Sequence, residues 1–271
     1  MKIFLTGKPG SGKSTLLTKL LSNVDHRHGF LSPEVRENGE RMGFNLVDNT
    51  GRSAVLSRTN IPTQHPVGRN FVNLQSLDRF IDQLFTYDTS QLLYIDEVGQ
   101  MQLCSTNFVK LVEYFMDAEN DFIGTVSQIY NHPLISELTN HDDILVCTVT
   151  IENRDAIELV LSEALAHRKV FNRLSRHRQE AAIKLARDCI SKNHFISLRK
   201  LFKNATTYVV NSRIQENNGE FTVNGFTDAH AVKVDQGKLI CDCDLFLGRG
   251  QFLGQAQQCS HIQAIVIYRS A

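Results

Sequence analysis

Gly7-Lys8-Pro9-Gly10-Ser11-Gly12-Lys13-Ser14 sets glycine, lysine and a hydroxyl at the spacing of a phosphate-binding loop. Glycines let successive backbone N–H groups turn inward on phosphate oxygens, and a helix beginning at the same point adds partial positive charge. The context such a loop needs is present, with the apolar run Lys2-Ile3-Phe4-Leu5-Thr6 before it and Thr15-Leu16-Leu17-Thr18-Lys19-Leu20-Leu21 after it. The expected nucleotide-binding set runs from Gly7 through Thr15, with Lys13 reaching the β- and γ-phosphates and Ser14 ligating Mg²⁺. A second set supplies acids. Gln91-Leu92-Leu93-Tyr94-Ile95 reads as a short strand ending in Asp96-Glu97. At the end of a parallel strand beside the loop, Asp96 would hold Mg²⁺ and Glu97 would orient or deprotonate an attacking water.

A third set lies near the other end. Cys241-Asp242-Cys243, fifteen residues, then Cys259-Ser260-His261 makes a Cys-x-Cys, Cys-x-His pattern. Three thiolates and an imidazole suit tetrahedral Zn²⁺, and four protein ligands leave no open position, so such a site is structural. The remaining three of the six cysteines, Cys104, Cys147 and Cys189, are scattered and read as reduced thiols.

These groups need elements to position them. Glu37-Asn38-Gly39-Glu40 lies between Gly29–Arg36 and Arg41–Val47, and an Asn-Gly pair between alternating runs signals an antiparallel hairpin after the first helix. Asn49-Thr50-Gly51-Arg52 marks a second turn. Ser57 to Asn73, with Pro62, Pro66 and Gly68, reads as a loop whose Arg58 and Arg69 are the candidate arginine finger. Leu74–Phe85 and Asn107–Glu119 have helical spacing, Phe122–Ser127 and Ile144–Val149 read as strands, and Asn153 caps a helix running on from Asp155. Thr125 or Ser127, at a strand end, is placed to sense a γ-phosphate. This alternation of strand and helix implies a largely parallel sheet with helices on both faces.

Charge is uneven. Residues 1–165 carry net −8, 166–205 carry +9 and 206–271 carry −1. The basic block, with Arg173, Arg176, Arg178, Lys184 and Arg187, is expected to form short helices acting as a spacer over 166–206. It would meet nucleic acid or another acidic surface, or dock on the acidic domain of its own chain. Beyond it, Tyr208-Val209-Val210, Glu220–Val223, Ala229–Val234 and Lys238–Ile240 read as short strands. No apolar run approaches the roughly 20 residues of a membrane span, and the first residues already form the strand before the loop, so a cytosolic protein without membrane contact is expected.

The loop, Gly29-Phe30 through Glu34-Val35-Arg36, Gly43-Phe44, Val67-Gly68-Arg69, Asp96-Glu97-Val98-Gly99-Gln100-Met101 and Val149-Thr150-Ile151-Glu152-Asn153-Arg154-Asp155 together resemble the small nucleoside-triphosphatase family first described from thermophiles. The resemblance covers about residues 1–165. It implies a P-loop α/β fold and slow hydrolysis of several nucleoside triphosphates, ATP among them, to diphosphates. Two residues depart from the family pattern: Gln100 and Gln102 stand where lysine and glutamate are usual, leaving Glu97 as the acid there. The cysteine and histidine pattern resembles the SWIM zinc finger, which implies a nucleic-acid or protein partner and a short helix over Ile262–Tyr268.

The expected architecture is therefore a P-loop nucleoside-triphosphatase domain over 1–165, built on a largely parallel sheet with an antiparallel hairpin. A basic helical spacer over 166–206 and a ββα-like zinc module over 207–271 follow. The expected reaction is attack of water on the γ-phosphate of a Mg²⁺-bound nucleoside triphosphate. Two alternatives use the same loop: a nucleotide or polynucleotide kinase with a hydroxyl acceptor, and a binding protein switched by nucleotide with negligible turnover.

Overall fold

The computed structural model describes residues 1–247 and 259–270. The chain divides into two compact units, Met1–Arg154 and Asp155–Ala271. No helix among the described residues is long and apolar enough to cross a membrane.

The first unit is built on one sheet. Its elements in order are β1 (Lys2–Thr6), α1 (Lys13–Leu21), β2 (Arg27–Leu31), β3 (Glu34–Glu37), β4 (Glu40–Asp48), β5 (Ser53–Arg58), β6 (Pro66–Val67) and β7 (Asn70–Val72). Then come α2 (Leu74–Ile81), β8 (Leu92–Val98), α3 (Thr106–Asp117), β9 (Phe122–Val126), α4 (Pro133–Asn140) and β10 (Ile144–Thr148). Strands β10, β1, β9, β8 and β2 lie side by side and parallel; β4, β5, β7 and β6 continue the sheet antiparallel, with β3 paired on β4. Parallel strands covered on both faces must be apolar throughout. Accordingly Ile3, Phe4 and Leu5 of β1 and every residue of β9 are buried. Phe4 packs on Phe122 at 5.0 Å between ring centroids, and Phe30 meets Phe80 edge-on at 6.0 Å.

The important result for the site is that β9 lies between the strand carrying the loop and the strand carrying Asp96. Gly124 allows this close fit, since a Cβ there would stand 2.9 Å from the Ile95 carbonyl oxygen.

Two expectations for this unit need correction. Gly29–Arg36 is two strands, because Pro33, which has no N–H, interrupts the ladder after Ser32. Gly29 pairs with Tyr94 so closely that a Cβ would fall 1.8 Å from the Tyr94 carbonyl oxygen, so β2 also runs parallel to β8; on its other edge it pairs antiparallel with β4, Phe30 opposite Asp48 and Leu31 opposite Val47, which continues the hairpin that β3 and β4 form over Asn38-Gly39. The Ser57–Asn73 stretch is not all loop: β6 and β7 pair across Gly68-Arg69, where Gly68 takes φ +57°. Strands this short carry no readable periodicity.

The second unit begins at α5 (Arg154–Ala166) and continues with α6 (Arg168–Phe171), α7 (Arg176–Ser191), α8 (Phe195–Lys200), a π-helical turn over Leu201–Ala205, and α9 (Thr206–Val210). Four antiparallel strands follow in sequence order, β11 (Ile214–Asn217), β12 (Glu220–Asn224), β13 (Ala229–Asp235) and β14 (Lys238–Cys241), and then α10 (Asp244–Leu247) and α11 (Ser260–Arg269). Helix α11 is buried nearly all round, through Ile262, Ala264, Ile265 and Ile267 and also Ser260, His261 and Gln263, which marks a core helix. It packs against α7, the π turn, α9 and the β13–β14 hairpin. The basic helices thus share a core with the C-terminal helix. Tyr208-Val209-Val210 is helical, contrary to the strand expected, because it continues the helix through the π turn and buries Tyr208 and Val209. A three-residue apolar run does not distinguish strand from helix.

Candidate active site and metal centre

The loop after β1 turns sharply, with Ser11 N–H donating to the Lys8 carbonyl at 3.1 Å. Gly7, Gly10 and Gly12 take φ of +146°, +79° and +97°, values that side-chain-bearing residues rarely adopt. Gly7 also lies where a Cβ would stand 2.4 Å from the Val149 carbonyl oxygen. Gly12 is the N-cap of α1 and offers no side-chain acceptor, so the first amides of the helix are left to an incoming anion. Lys13 folds back over the loop, its Nζ donating to the Gly7 carbonyl at 3.0 Å and to Lys8 at 3.4 Å.

Asp96 reaches this loop from β8 across the intervening strand. Its Oδ1 accepts from Ser14 Oγ at 3.0 Å and from Thr125 Oγ1, on β9, at 2.6 Å. Ser32 Oγ donates to the Asp96 backbone carbonyl, and Gln102 Nε2 donates to Ser32 Oγ at 3.4 Å. Asp96 is only 3% exposed. Burial pushes its carboxyl pKa up, against the opposing pull of the Thr125 and Ser14 hydroxyls. A buried carboxylate in this state gains most from a nearby cation, and Ser14 Oγ and Asp96 Oδ1 are the oxygen pair that fits Mg²⁺. Glu97 is likewise raised above the ordinary carboxylate range by burial, with Lys13 opposing. Gly99 makes room for it, since a Cβ there would stand 3.3 Å from the Glu97 Cδ. A cleft of about 710 Å³ opens over Lys13, Ser14 and Asp96 and extends to Ser32, Glu34 and Phe44.

Several polar groups near the site carry weaker sequence signals. Thr125 was legible as a strand-end hydroxyl, Gln102 stood out only as a departure from the family pattern, and Ser32 has no motif. Arg58 is engaged on its own sheet edge, donating to the Phe44 and Ser57 carbonyls at 3.0 and 2.7 Å and to Asn45 Oδ1 at 2.6 Å. Arg154 is the arginine beside the loop, its Cδ and Nη1 each 3.7 Å from where a Gly12 Cβ would lie. It gets there because β10 pairs with β1 in register, Leu5 opposite Cys147, which returns the chain to the loop.

Residues 2–161 match the family model described as NTPase. The chain belongs to the NTPase family. Its N-terminal part is a P-loop nucleoside triphosphatase, and the chain is an enzyme of that class. It is 35% identical over 177 residues to the protein named nucleoside-triphosphatase THEP1 of Thermotoga sp. (strain RQ2), covering 64% of this chain and 98% of the relative. The crystal structure of THEP1 from the hyperthermophile Aquifex aeolicus superposes with a TM-score of 0.51 at 31% identity, over 58% of this chain and 95% of that one. The solution structure of a human cancer-related nucleoside triphosphatase gives 0.50 at 32% identity, over 58% and 93%.

The second unit brings its own cluster together. Ligand atoms of Cys241, Cys243, Cys259 and His261, all buried, lie within 4.8 Å of one another. Cys241 ends β14, Cys259 is the N-cap of α11 and His261 sits in the first turn of that helix. The segment between, 248–258, lies outside the described residues. Cys241 Sγ stands 3.6 Å from His261 Nδ1. A tetrahedron with Zn–S of about 2.3 Å and Zn–N of about 2.0–2.1 Å puts sulfur and nitrogen about 3.5–3.6 Å apart, so this pair has the spacing of two ligands of one ion. Cys243 and Cys259, hydrogen-bonded to the Cys241 thiol, push its pKa up, as does burial; a cation at the centre reverses that by stabilising thiolate. The imidazole is held by its neighbours, with His261 stacked on Tyr208 (5.6 Å, 11°) and 4.3 Å from the His230 ring. His230 in turn pairs with Asp242 at 3.1 Å.

Proposed function

We propose that residues 1–165 hydrolyse Mg²⁺-bound nucleoside triphosphates to diphosphate and phosphate. The observation that carries this reading is the hydrogen bond from Ser14 of the loop to Asp96, with Glu97 next in the chain and within the electrostatic reach of Lys13. Amides from Gly10 to Ser14 hold the phosphates, and Lys13 leaves the Gly7 carbonyl to meet the charge that develops on the transferred group. Ser14 and Asp96 would hold Mg²⁺, which would supply charge neutralisation to the phosphates. Glu97 takes a proton from water as the water oxygen bonds to the γ-phosphorus and the bond to the β-phosphate oxygen breaks. Its raised pKa makes it a better base than an ordinary glutamate once ionised. Phosphate release measured with several triphosphates, with and without Mg²⁺, tests the reading; label found on a hydroxyl acceptor instead of free phosphate would identify a kinase.

The second unit we read as a zinc-stabilised module of the SWIM kind, with Cys241, Cys243, Cys259 and His261 as a closed structural site. Its partner in this reading is nucleic acid or protein. Part of the basic block is already committed: Arg199 and Lys203 pair with Glu163 at 2.9 and 3.7 Å, and Arg178 donates to the Tyr268 carbonyl and lies 5.4 Å from its ring. Contact with nucleic acid therefore rests on residues such as Arg173 and Lys184. Titration with labelled single- and double-stranded oligonucleotides at rising salt tests it, since phosphate neutralisation makes affinity fall steeply with salt. A cytoplasmic location is part of this reading, with the cysteines of the cluster serving as thiolate ligands.

A further inference from the structure

The turn between β12 and β13, Gly225-Phe226-Thr227-Asp228, holds an aromatic ring in the open. Phe226 is 57% exposed, yet it is fixed from two sides. The Arg213 guanidinium lies 5.0 Å from its ring centroid, and Arg213 Nη1 donates to the Gly225 carbonyl at 2.8 Å. The Tyr208 ring of α9 stands 5.4 Å away and is itself stacked on His261 at 5.6 Å. Gly225 N–H donates to the Asp228 carbonyl at 2.9 Å, and a Cβ on Gly225 would stand 2.7 Å from that oxygen and 3.6 Å from His261 Nε2. The turn is therefore braced against the Cys/His cluster. A single exposed apolar residue is ordinary; a ring already held in place can receive a planar group with little ordering cost.

The surroundings decide what that group is. Thr227 and Asp228 on the turn, and Asn211 and Ser212 before Arg213, are exposed and polar, so Phe226 is not the centre of an apolar patch. Strand β13 leaves the turn at Ala229, and the other large apolar residues exposed on the described part of this sheet, Val234 and Ile240, lie toward its far end, Ile240 opposite Lys233. A stable protein interface buries about 800 Å² per partner around an apolar core, which this end of the sheet does not offer. One aromatic ring with a guanidinium beside it matches one unpaired base and its phosphate. Positive charge continues from the turn. Helix α9, which carries Tyr208, packs on α6, where Lys169 is exposed, and exposed Arg173 follows. These cations outnumber Asp228, the acid of the turn.

Resting on the reading of the second unit as a zinc module with a nucleic-acid or protein partner, we infer that this turn is its contact surface and that the partner is single-stranded nucleic acid. An unpaired base stacks on Phe226, and the adjoining phosphate meets Arg213. A guanidinium has five N–H donors in a planar fork, so the bond to Gly225 leaves others for phosphate oxygens. Stacking asks only for a π face and is tolerant of sequence, whereas a duplex keeps its bases stacked inside and offers Phe226 none.

The chain has no tryptophan, which makes the test direct. Phe226→Trp places a lone indole on the turn, and titration of the full chain with oligo(dT) or oligo(U) quenches its emission, while a duplex of equal length does not; the two strands separate DNA from RNA as the source. By anisotropy of end-labelled strands at low salt, the wild type binds single strands about tenfold or more tighter than the duplex. Phe226→Ala and Phe226→Leu each weaken single-strand binding about tenfold, the loss of one stacked base, and leave duplex binding unchanged. Arg213→Gln weakens it too and lowers the salt dependence by about one phosphate. Far-UV signal and urea midpoint check that the variants fold. Single-strand binding that Phe226→Leu leaves in place, or indole emission that both strands leave unchanged, overturns the inference while nucleic acid stays the module's partner through other residues. No binding of any strand or duplex overturns it together with the nucleic-acid reading and leaves protein as the partner.

Discussion

In the first unit, Ser14 and Thr15 stand exposed at a cleft while Asp96, almost fully buried, holds Ser14 from behind. In the second, Cys241, Cys243, Cys259 and His261 are all buried and turned on one another. The difference is between a site that must admit and release a charged substrate and one whose ligands face only each other. The open site is held together by ordinary hydrogen bonds and a close-packed sheet. The closed cluster joins the end of β14 to the start of α11, and three sulfurs there, as thiolates, would call for a cation to balance them. In the zinc reading proposed above, one centre is positioned by the fold and the other helps to make it.

Chelation therefore separates the two units most strongly. Metal analysis of protein prepared without chelator is expected to find one zinc per chain, and Cys243→Ser is expected to release it and unfold the strands and α11 of the second unit. Structural zinc in comparable modules contributes on the order of 10 kcal/mol to folding. The first unit keeps its far-UV signal and nucleotide binding. Zinc-free protein with an intact second unit would erase the contrast.

The next largest effect belongs to the open site and leaves folding untouched. Lys13→Ala should weaken nucleotide binding and turnover together, whereas Glu97→Gln should retain bound nucleotide and slow phosphate release by about 10² or more. A Glu97→Gln enzyme running at the wild-type rate would remove Glu97 as the base.

Thr125→Val sharpens the claim that hydrogen bonds position Asp96. It removes the 2.6 Å donor on β9, and a hydrogen bond to a charged group is worth about 1.5–3 kcal/mol. Weaker Mg²⁺-nucleotide binding with an unchanged fold is expected, read by calorimetry. Unchanged affinity would show that Ser14 alone suffices to set Asp96.

Alkali tests burial in the first unit. Burial raises Tyr94 and Cys147, both in the parallel sheet, from ordinary values of 10.0 and 9.0 to about 12. These acids lose protons earlier in the unfolded chain, so the folded state holds more protons over this range. Stability of the first unit should accordingly fall as pH rises from about 9 to 12, by roughly 1.4 kcal/mol per pH unit for each group fully within its window. Tyr94→Phe removes its share above pH 10, measured as the change in the urea midpoint against pH. An identical pH slope in the variant would place the loss elsewhere.

Much of the open site is legible in the chain because its groups are adjacent in sequence to the elements that aim them. The loop sits between a strand and a helix, and Asp96-Glu97 ends an apolar run. The four cysteine and histidine positions are likewise readable from spacing. Less visible were Ser32, Gln102 and Arg154, whose roles come from strands pairing across long separations, and Tyr208, whose apolar neighbours suit either strand or helix. Gln128 and Thr150 border one cleft beside the loop only because β9 and β10 both lie against β1.

What the sequence determined by itself was the chemistry available: phosphate-binding amides, a lysine, two carboxylates, three thiols and an imidazole, each fixed by local spacing and backbone freedom. The tertiary structure decided which of these meet. Inserting β9 between the strands of the loop and of Asp96 turns Thr125 into a ligand of that carboxylate, and pairing β10 with β1 makes a second cleft beside the loop. Packing α11 among the basic helices commits part of their charge inside the unit. The physical reason is that strand order and helix packing are settled by burial of apolar faces, which is non-directional, and a polar residue carries no local mark of the neighbour that burial will bring to it.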